Sequence, residues 1–457
     1  MTDQAAGVGQ GRVAIVGGGF CGLALAIQLL RRADFGGRVV LFEPAPLLGG
    51  VAYTTDAPRH LLNVPADRMS LYPDRPDDFV RFAEAAGWPD ASLQFLPRTL
   101  YGAYLRAAFA EAAEAAGDRL QLVRAEVRSA RPQARGWELE AGSITWQASA
   151  LVLASGNGPP IVPGPLRALG ALPGVITEPY RPGALAGIDA DAAVLVLGMR
   201  LTAADILESL AAQGHRGPVF ALSRRARWPA EHLPEVSWRG EAPTLGALPA
   251  PLTADGLAGW FRASVSAAEL RGIPWQAVAD AVRPRVQTVW QELGEAEQVR
   301  FLAQHRGAWE WARHRLPAQC AEALRGWERS GWLTPLAGEV VAAAQAADGL
   351  SVTLRTPERA ENLHRFGAVV CGAGRLSDPR RFGGSLWPQL LVEGLVRPDP
   401  QGMGLLASPT GEVDGAPAGL YALGSLLRPA LFESTAVPEL AKQAAALAAR
   451  IATGAAE

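Results

Sequence analysis

The chain has 457 residues, 49% of them hydrophobic and 19% charged, with a formal net charge of -2. That length exceeds one ordinary domain, and the balance describes a globular chain with a large core and no basic footprint for nucleic acid. No apolar run is long enough to span a membrane, the start (Met1 to Gly11) has no signal-peptide pattern, and Cys21, Cys320 and Cys371 are too scattered for a disulfide framework or a metal site, so a cytoplasmic protein with no metal is expected.

The first informative stretch runs from Val13 to Glu43. It reads as a strand (Val13 to Val16), a glycine turn, a helix (Leu23 to Arg32) and a second strand (Arg38 to Phe42) ending in Glu43. Gly17, Gly19 and Gly22 fit G-x-G-x-x-G. The first glycine suits the tight turn, the second admits a pyrophosphate against the backbone, and the third lets helix and strand pack closely. The pyrophosphate would sit at the helix N-terminus. Glu43 follows Gly22 by about 20 residues, where a carboxylate accepts from a ribose 2′-OH. The motif alone is weak; its strand–turn–helix–strand–acid context makes it a dinucleotide site. Cys21, inside the turn, reads as a small packed residue.

Gly49 and Gly50 follow, where backbone passes close to a ligand, and then RHLLNVPADR from Arg59 to Arg68, too apolar for a surface loop. Helices are expected at Asp77 to Ala86 and Tyr101 to Ala116, a strand at Leu120 to Arg128, and a hairpin from Trp137 to Ala141 and Ser143 to Gln147. The strand Ala150 to Ala154 ends in SGNGPP, whose Gly156 lies where a strand end meets the same dinucleotide.

The pattern then restarts: strand Ala193 to Leu197, turn at Gly198, helix Thr202 to Gln213 and strand Pro218 to Leu222, ending in Ser223, Arg224 and Arg225. Those three residues suit a 2′-phosphate where the first fold has an acid. The turn carries Arg200 where the second glycine belongs; its side chain either crowds a pyrophosphate or binds it by charge, and otherwise the unit only builds a sheet. Leu257 to Trp327 is helical in pattern and rich in tryptophan, which at this irregular spacing reads as core rather than ligand stack. As a helical insertion between strands it suits a lid or substrate wall. Strands resume at Trp332 to Leu336, Glu339 to Ala347, Leu350 to Arg355, Ala368 to Cys371 and Leu420 to Leu423, and a helix from Val437 to Ile451 follows. Glu433, Ser434 and Thr435 read equally as a helix cap and as a helix start facing a flavin ring.

Several stretches together resemble a family: IVGGGFCGLALA, GGVAYTTDAPRHLLNVPADRMS, LPRTLYGAYLR, LVLASGNGPP, HRGPVFALSRR and LYALGSLLRPALFESTAVPELAKQA. The chain resembles bacterial FAD/NAD(P)-binding proteins of the group that includes a FAD-dependent urate hydroxylase and a flavin-dependent aspartate N-monooxygenase. The resemblance implies an α/β flavoprotein with two dinucleotide-binding domains, a Rossmann-like FAD domain carrying an inserted NAD(P)-binding domain, plus the helical insertion. It implies that Gly17, Gly19, Gly22 and Glu43 hold FAD, that Tyr53, His60, Asn63 and Arg98 lie near the cofactor or active site, and that Gly156, Gly424, Ser434 and Thr435 line the flavin. Arg200 departs from the family pattern.

The expected division is residues 1–160 for the first part of the FAD domain, 161–255 for the NAD(P)-like domain, 256–330 for the helical insertion, and 331–457 for the remaining sheet and the last part of the FAD domain. The expected activity is NAD(P)H-dependent monooxygenation of a small polar nitrogen-containing substrate through a flavin C4a-(hydro)peroxide, with NADPH or NADH as reductant. The alternatives are a flavin dehydrogenase or reductase without oxygen insertion, and a flavin-binding protein with a degenerate NAD(P)H site. No C-x-x-C pair is present for disulfide reduction. No catalytic residue is identifiable; His60 is the leading candidate base, on its motif and reach alone.

Overall fold

Short apolar strands, each followed by a turn and an amphipathic or alanine-rich helix, force parallel pairing, because parallel neighbours need a crossover between them. The computed structural model describes residues 11–454 apart from 171, 234–237 and 239. In chain order the first unit holds β1 (Arg12–Val16), α1 (Phe20–Arg31), β2 (Arg38–Phe42), α2 (Asp78–Ala85), α3 (Arg98–Ala116), β3 (Leu120–Val123), β4 (Val127–Gln133), β5 (Gly136–Ala141), β6 (Ile144–Ala148) and β7 (Ala150–Leu153). Next come α4 (Gly164–Arg167), β8 (Val175–Ile176), β9 (Val194–Leu197), α5 (Leu201–Ala212) and β10 (Val219–Ser223). A run of helices follows: α6 (Ala254–Glu269), α7 (Trp275–Val282), α8 (Val286–Glu292), α9 (Glu295–Gln304), α10 (Arg306–Arg313) and α11 (Ala318–Arg329). The chain then forms β11 (Leu333–Ala337), β12 (Glu339–Ala346), β13 (Gly349–Arg355), β14 (Glu361–Phe366), β15 (Ala368–Cys371), α12 (Leu386–Val392), β16 (Leu420–Ala422), α13 (Arg428–Leu431) and α14 (Val437–Thr453).

Two five-stranded parallel sheets organise these elements. The first has the order β16-β7-β1-β2-β3 and the second β11-β10-β9-β15-β8. One face of the first sheet, with Val13 and Ile15, packs on α1, α3 and α14; the other, with Ala14, packs on β4–β6 and α12. The second sheet repeats this, with α5 and α11 on one face and the antiparallel β12–β14 on the other. Burial on both faces explains why these strands read as unbroken apolar runs rather than alternating ones.

Three details differ from the sequence reading. The run from Leu120 to Arg128 is two strands: β3 extends the parallel sheet beside β2, and the chain breaks before β4 joins an antiparallel sheet. β8 is too short to carry a periodic signal, and exposed polar side chains masked β14. Strands β11 and β15 both belong to the second sheet, so the chain returns to the first sheet only at β16. No helix among the described residues is long and apolar enough to cross a membrane.

The two sheet units are tied by a buried ion pair. Arg98 at the start of α3 meets Asp205 in α5 at 3.0 Å, with the side chains 12% and 7% exposed. Tyr180 donates to the same carboxylate at 2.5 Å. Removing one partner leaves an uncompensated buried charge, so Asp205→Ala is expected to cost about 3–5 kcal/mol in urea unfolding. The double variant Arg98→Met, Asp205→Leu is expected to cost less than Asp205→Ala alone.

Candidate functional site

The turn between β1 and α1 has the shape the motif anticipates. Gly19 is the N-cap of α1, which begins with no side-chain cap, so its first-turn N–H groups face outward. A Cβ on Gly22 would come within 1.9 Å of the Gly17 carbonyl oxygen, so the protein's own packing demands glycine there. A Cβ on Gly19 would meet only Gly50 Cα, at 3.9 Å. The fold would accept a methyl at Gly19; what glycine leaves there is a concave backbone surface above a helix N-terminus, the shape an anion takes.

Further residues adjoin this turn. Glu43 Oε2 accepts from Gly18 N–H at 2.8 Å, and Oε1 from Ala45 N–H at 2.8 Å, which aims the carboxylate along the loop. Gly49 donates to the Gly18 carbonyl, bringing the double-glycine segment against the turn. Gly156, at the end of β7, has φ +71° and open space where a Cβ would be. Gly424 is different: a Cβ there would lie 2.6 Å from Cys21 Sγ, so it serves the seating of the 424 turn on α1. Buried Ser434 donates to the Gly424 carbonyl at 2.5 Å, while Thr435 is exposed. Tyr101 Oη, Ser425 Oγ and Gln443 Nε2 are buried with no partner in the protein. A long polar ligand with an apolar ring system would satisfy such atoms, and the residues present therefore fit a flavin dinucleotide.

Tyr53 follows the double-glycine segment, its N–H donating to the Gly50 carbonyl at 2.9 Å. Its ring packs edge-on against Tyr101 at 4.7 Å, and burial pushes its hydroxyl up to about 12. His60 and Arg98 form the seam with α5, and Arg98 lies close enough to Tyr53 for its charge to act on that hydroxyl. His60 Nδ1 pairs with Thr55 Oγ1 at 2.9 Å, and Nε2 lies 2.9 Å from the Asp205 carbonyl and 2.8 Å from Ser209 Oγ. Burial lowers its pKa. With both ring nitrogens engaged and the ring closed in, His60 is poorly set to act as a base. Asn63 offers its carbonyl to His232 Nε2 at 3.0 Å.

The second turn differs most from expectation. Arg200 is the N-cap of α5, and its guanidinium reaches Glu310 on α10 at 2.7 Å. Arg306 holds the same carboxylate at 2.7 Å. Burial raises the Glu310 pKa, but Arg306 and Arg200 outweigh it and hold it down to about 2. Arg313 pairs with Glu433 at 2.9 Å, and Arg428, between these pairs, is pulled down to about 10 by burial and then by Arg306. Four arginines face two glutamates, a cation excess beside the segment before α14. Ser223 ends β10, and Arg224 and Arg225 are exposed with no ion-pair partner among the described residues. Sequence reading missed Tyr180, Asp205, Arg306, Glu310 and Arg428. A signal existed for one: Asp205 is a charge inside the apolar stretch LTAADILESL. No group of residues that could hold a metal ion occurs among the described residues.

The sequence model of an FAD-NAD(P)-binding family matches residues 14–158. No curated protein matches the chain. Among solved structures it is similar to the ornithine hydroxylase of Pseudomonas aeruginosa, at 16% identity over 97% of this chain and 99% of that one, with a TM-score of 0.66. The ornithine N-hydroxylase of Kutzneria sp. 744, described with reduced FAD, NADP+ and L-ornithine, matches at 16% identity, 97% and 99% coverage and a TM-score of 0.64. The cadaverine monooxygenase of Erwinia amylovora, bound to FAD, matches at 16% identity, 97% and 94% coverage and 0.65. At such identities the likeness establishes the fold: two dinucleotide-binding units in one chain, as in these flavin monooxygenases.

Two outcomes test this geometry. Gly19→Ala is expected to lose the flavin while keeping the melting temperature of the flavin-free protein, whereas Gly22→Ala is expected to lower the melting temperature itself; absorbance near the flavin bands and calorimetry separate them. Burial pulls His232 and His314 down to about 4, assisted by Arg315 and Arg313 respectively. Between about pH 6.5 and 4 the unfolded chain takes up protons there that the folded chain refuses, so stability falls as pH falls, by up to about 3 kcal/mol per histidine. His232→Phe, which can pack against Phe95 as the tilted imidazole does at 4.6 Å, is expected to shrink the drop in melting temperature between pH 7.5 and 5.

Proposed function

We propose that the chain is an FAD-dependent monooxygenase, reduced by NAD(P)H, that hydroxylates a nitrogen-containing small molecule. The observation that carries this reading is the open cradle over Gly19, at an uncapped helix N-terminus, in the first of two nucleotide folds. One atom of O₂ enters the substrate as hydroxyl and the other leaves as water, with both reducing electrons coming from the nicotinamide. The flavin, when bound, supplies the oxygen activation. This chain's residues bind and enclose: Gly17, Gly19 and Gly22 with α1 receive the pyrophosphate, Glu43 the ribose, and Gly156, Gly424 and Ser434 border the ring system. Residues 11–160 and 376–454 would form the FAD unit, 161–375 the inserted unit, with α6–α10 as its helical layer. The three cysteines are free and buried, in keeping with a reducing compartment such as the cytoplasm.

The reductant is expected to meet the arginine excess around Glu310 and Glu433. Exposed Arg224 and Arg225 favour NADPH over NADH. Arg200 supports a second reading, a flavoprotein that nicotinamide reduces only poorly, because its bond to Glu310 draws the helical layer over the second turn.

The two readings separate under anaerobic conditions. With Arg200 as a gate, both Arg200→Gly and Glu310→Gln are expected to speed flavin bleaching by NADPH several-fold in stopped flow. A slower rate in Arg200→Gly with Glu310→Gln unchanged would make Arg200 a phosphate ligand instead. Flavin that NADPH bleaches in none of the three proteins would overturn the monooxygenase reading.

A further inference from the structure

Helices α6–α10 do not fill their own centre. They ring a cavity of about 560 Å³, within the size range of pockets that take small organic ligands. Trp260, Trp275, Trp290, Trp309, Trp311 and Phe432 supply much of its wall. The tryptophans therefore frame a hollow rather than a solid core.

The indole N–H groups of four of these tryptophans are spent on partners in the protein. Trp260 donates to the Gly246 carbonyl at 2.9 Å, Trp290 to Pro429 at 2.7 Å, Trp311 to Trp228 at 3.0 Å, and Trp309 to Glu433 Oε1 at 2.7 Å. His305 on the same wall is engaged by Asp255 at 2.8 Å. What faces inward is ring carbon. A short diamine or an amino acid would find almost no acceptor there for its ammonium group, and a buried unpaired charge is strongly disfavoured. Arg262 and Arg285 also border the cavity; both are exposed and have no ion-pair partner among the described residues. They outnumber Glu269, the exposed acid on the same rim.

The inner end joins the flavin-facing segment. Phe432 stacks on Trp290 at 4.6 Å and meets Phe301 edge-on at 5.6 Å, and Glu433 and Ser434 follow it directly. Phe432 has φ +52°, a conformation that L side chains rarely adopt, held by its N–H donating to the Arg428 carbonyl at 2.7 Å. The backbone is bent at the point where the ring closes the cavity.

We propose that this cavity holds the body of the nitrogen-containing substrate, which is therefore aromatic-bodied and carries a carboxylate, unlike a short polar amine. The inference rests on the flavin monooxygenase reading for what happens to that substrate. The rings of the wall offer stacking faces, and the arginine rim takes the carboxylate.

The test is calorimetric titration of the flavin-loaded protein with 1-naphthylacetate, with 2-(1-naphthyl)ethanol and cadaverine as comparators. Naphthylacetate is expected to bind at least tenfold more tightly than cadaverine and several-fold more tightly than the neutral alcohol. Val265→Trp and, separately, Ala258→Phe, which fill the cavity, are expected to weaken it at least tenfold with flavin content and melting temperature unchanged. No binding of naphthylacetate, or binding that neither filled variant weakens, overturns the inference. If cadaverine or ornithine then drives NADPH oxidation, the substrate class falls while the monooxygenase reading stands. If naphthylacetate binds as expected but NADPH never bleaches the flavin, the cavity stands as a ligand site and the monooxygenase reading falls.

Discussion

The carboxylate of Asp205 holds the two nucleotide folds against each other. It lies in α5, in the second fold, and takes Arg98 from the first and Tyr180 from the connection between them. Its backbone carbonyl receives His60, whose other nitrogen is held by Thr55. A charge this deeply buried is tolerable only with its partners in position, so the pair acts as a register between two bodies as well as a bond. Two sheets joined by flexible linkers alone would have no fixed relation; here a polar seam inside apolar surroundings defines one. The residues of RHLLNVPADR and LPRTLYGAYLR serve this seam, and their sequence pattern reflects the joint between folds as much as any contact with ligand.

A second carboxylate does comparable work for the helical layer. Glu433 receives Trp309 and Arg313, while Arg283 in the connection after α7 grips Glu439 in the first turn of α14 through two bonds of 2.8 Å. The helical layer is thus fastened to the segment that closes the first fold. With Arg200 bonded to Glu310, it is fastened to the second fold as well. The layer bridges both, with its cavity closed on one side by Phe432 of the segment before α14.

What could be read from the sequence was what is decided locally. The turn Gly17 to Gly22, the parallel strands and the length of α14 follow from neighbours a few residues apart, and the structure has them. The strand boundaries near Arg124 were not legible, because the break there depends on which sheet each half joins. The bonds of His60 and Arg98 to Asp205 were not legible, because Asp205 lies far along the chain and in the other fold. The tryptophans were the sharpest limit. Composition separates buried from exposed rings but does not separate a filled centre from a hollow one. That depends on how the short helices, interrupted near Pro274, Pro284 and Gly294, close around each other.

The contact between Gly424 and Cys21 has a temporal consequence. The turn after β16 seats directly on the first helix, with no room for even one more carbon, and β16 itself completes the sheet begun by β1. During synthesis the ribosome must therefore deliver the whole second fold and the helical layer before the first fold acquires its edge strand. Until then the nascent N-terminal half exposes one flank of its central sheet and α1 lacks the cover of α14. Cofactor capture is accordingly expected only once β16 and α14 have been delivered, and the half-made chain is the species most in need of a chaperone.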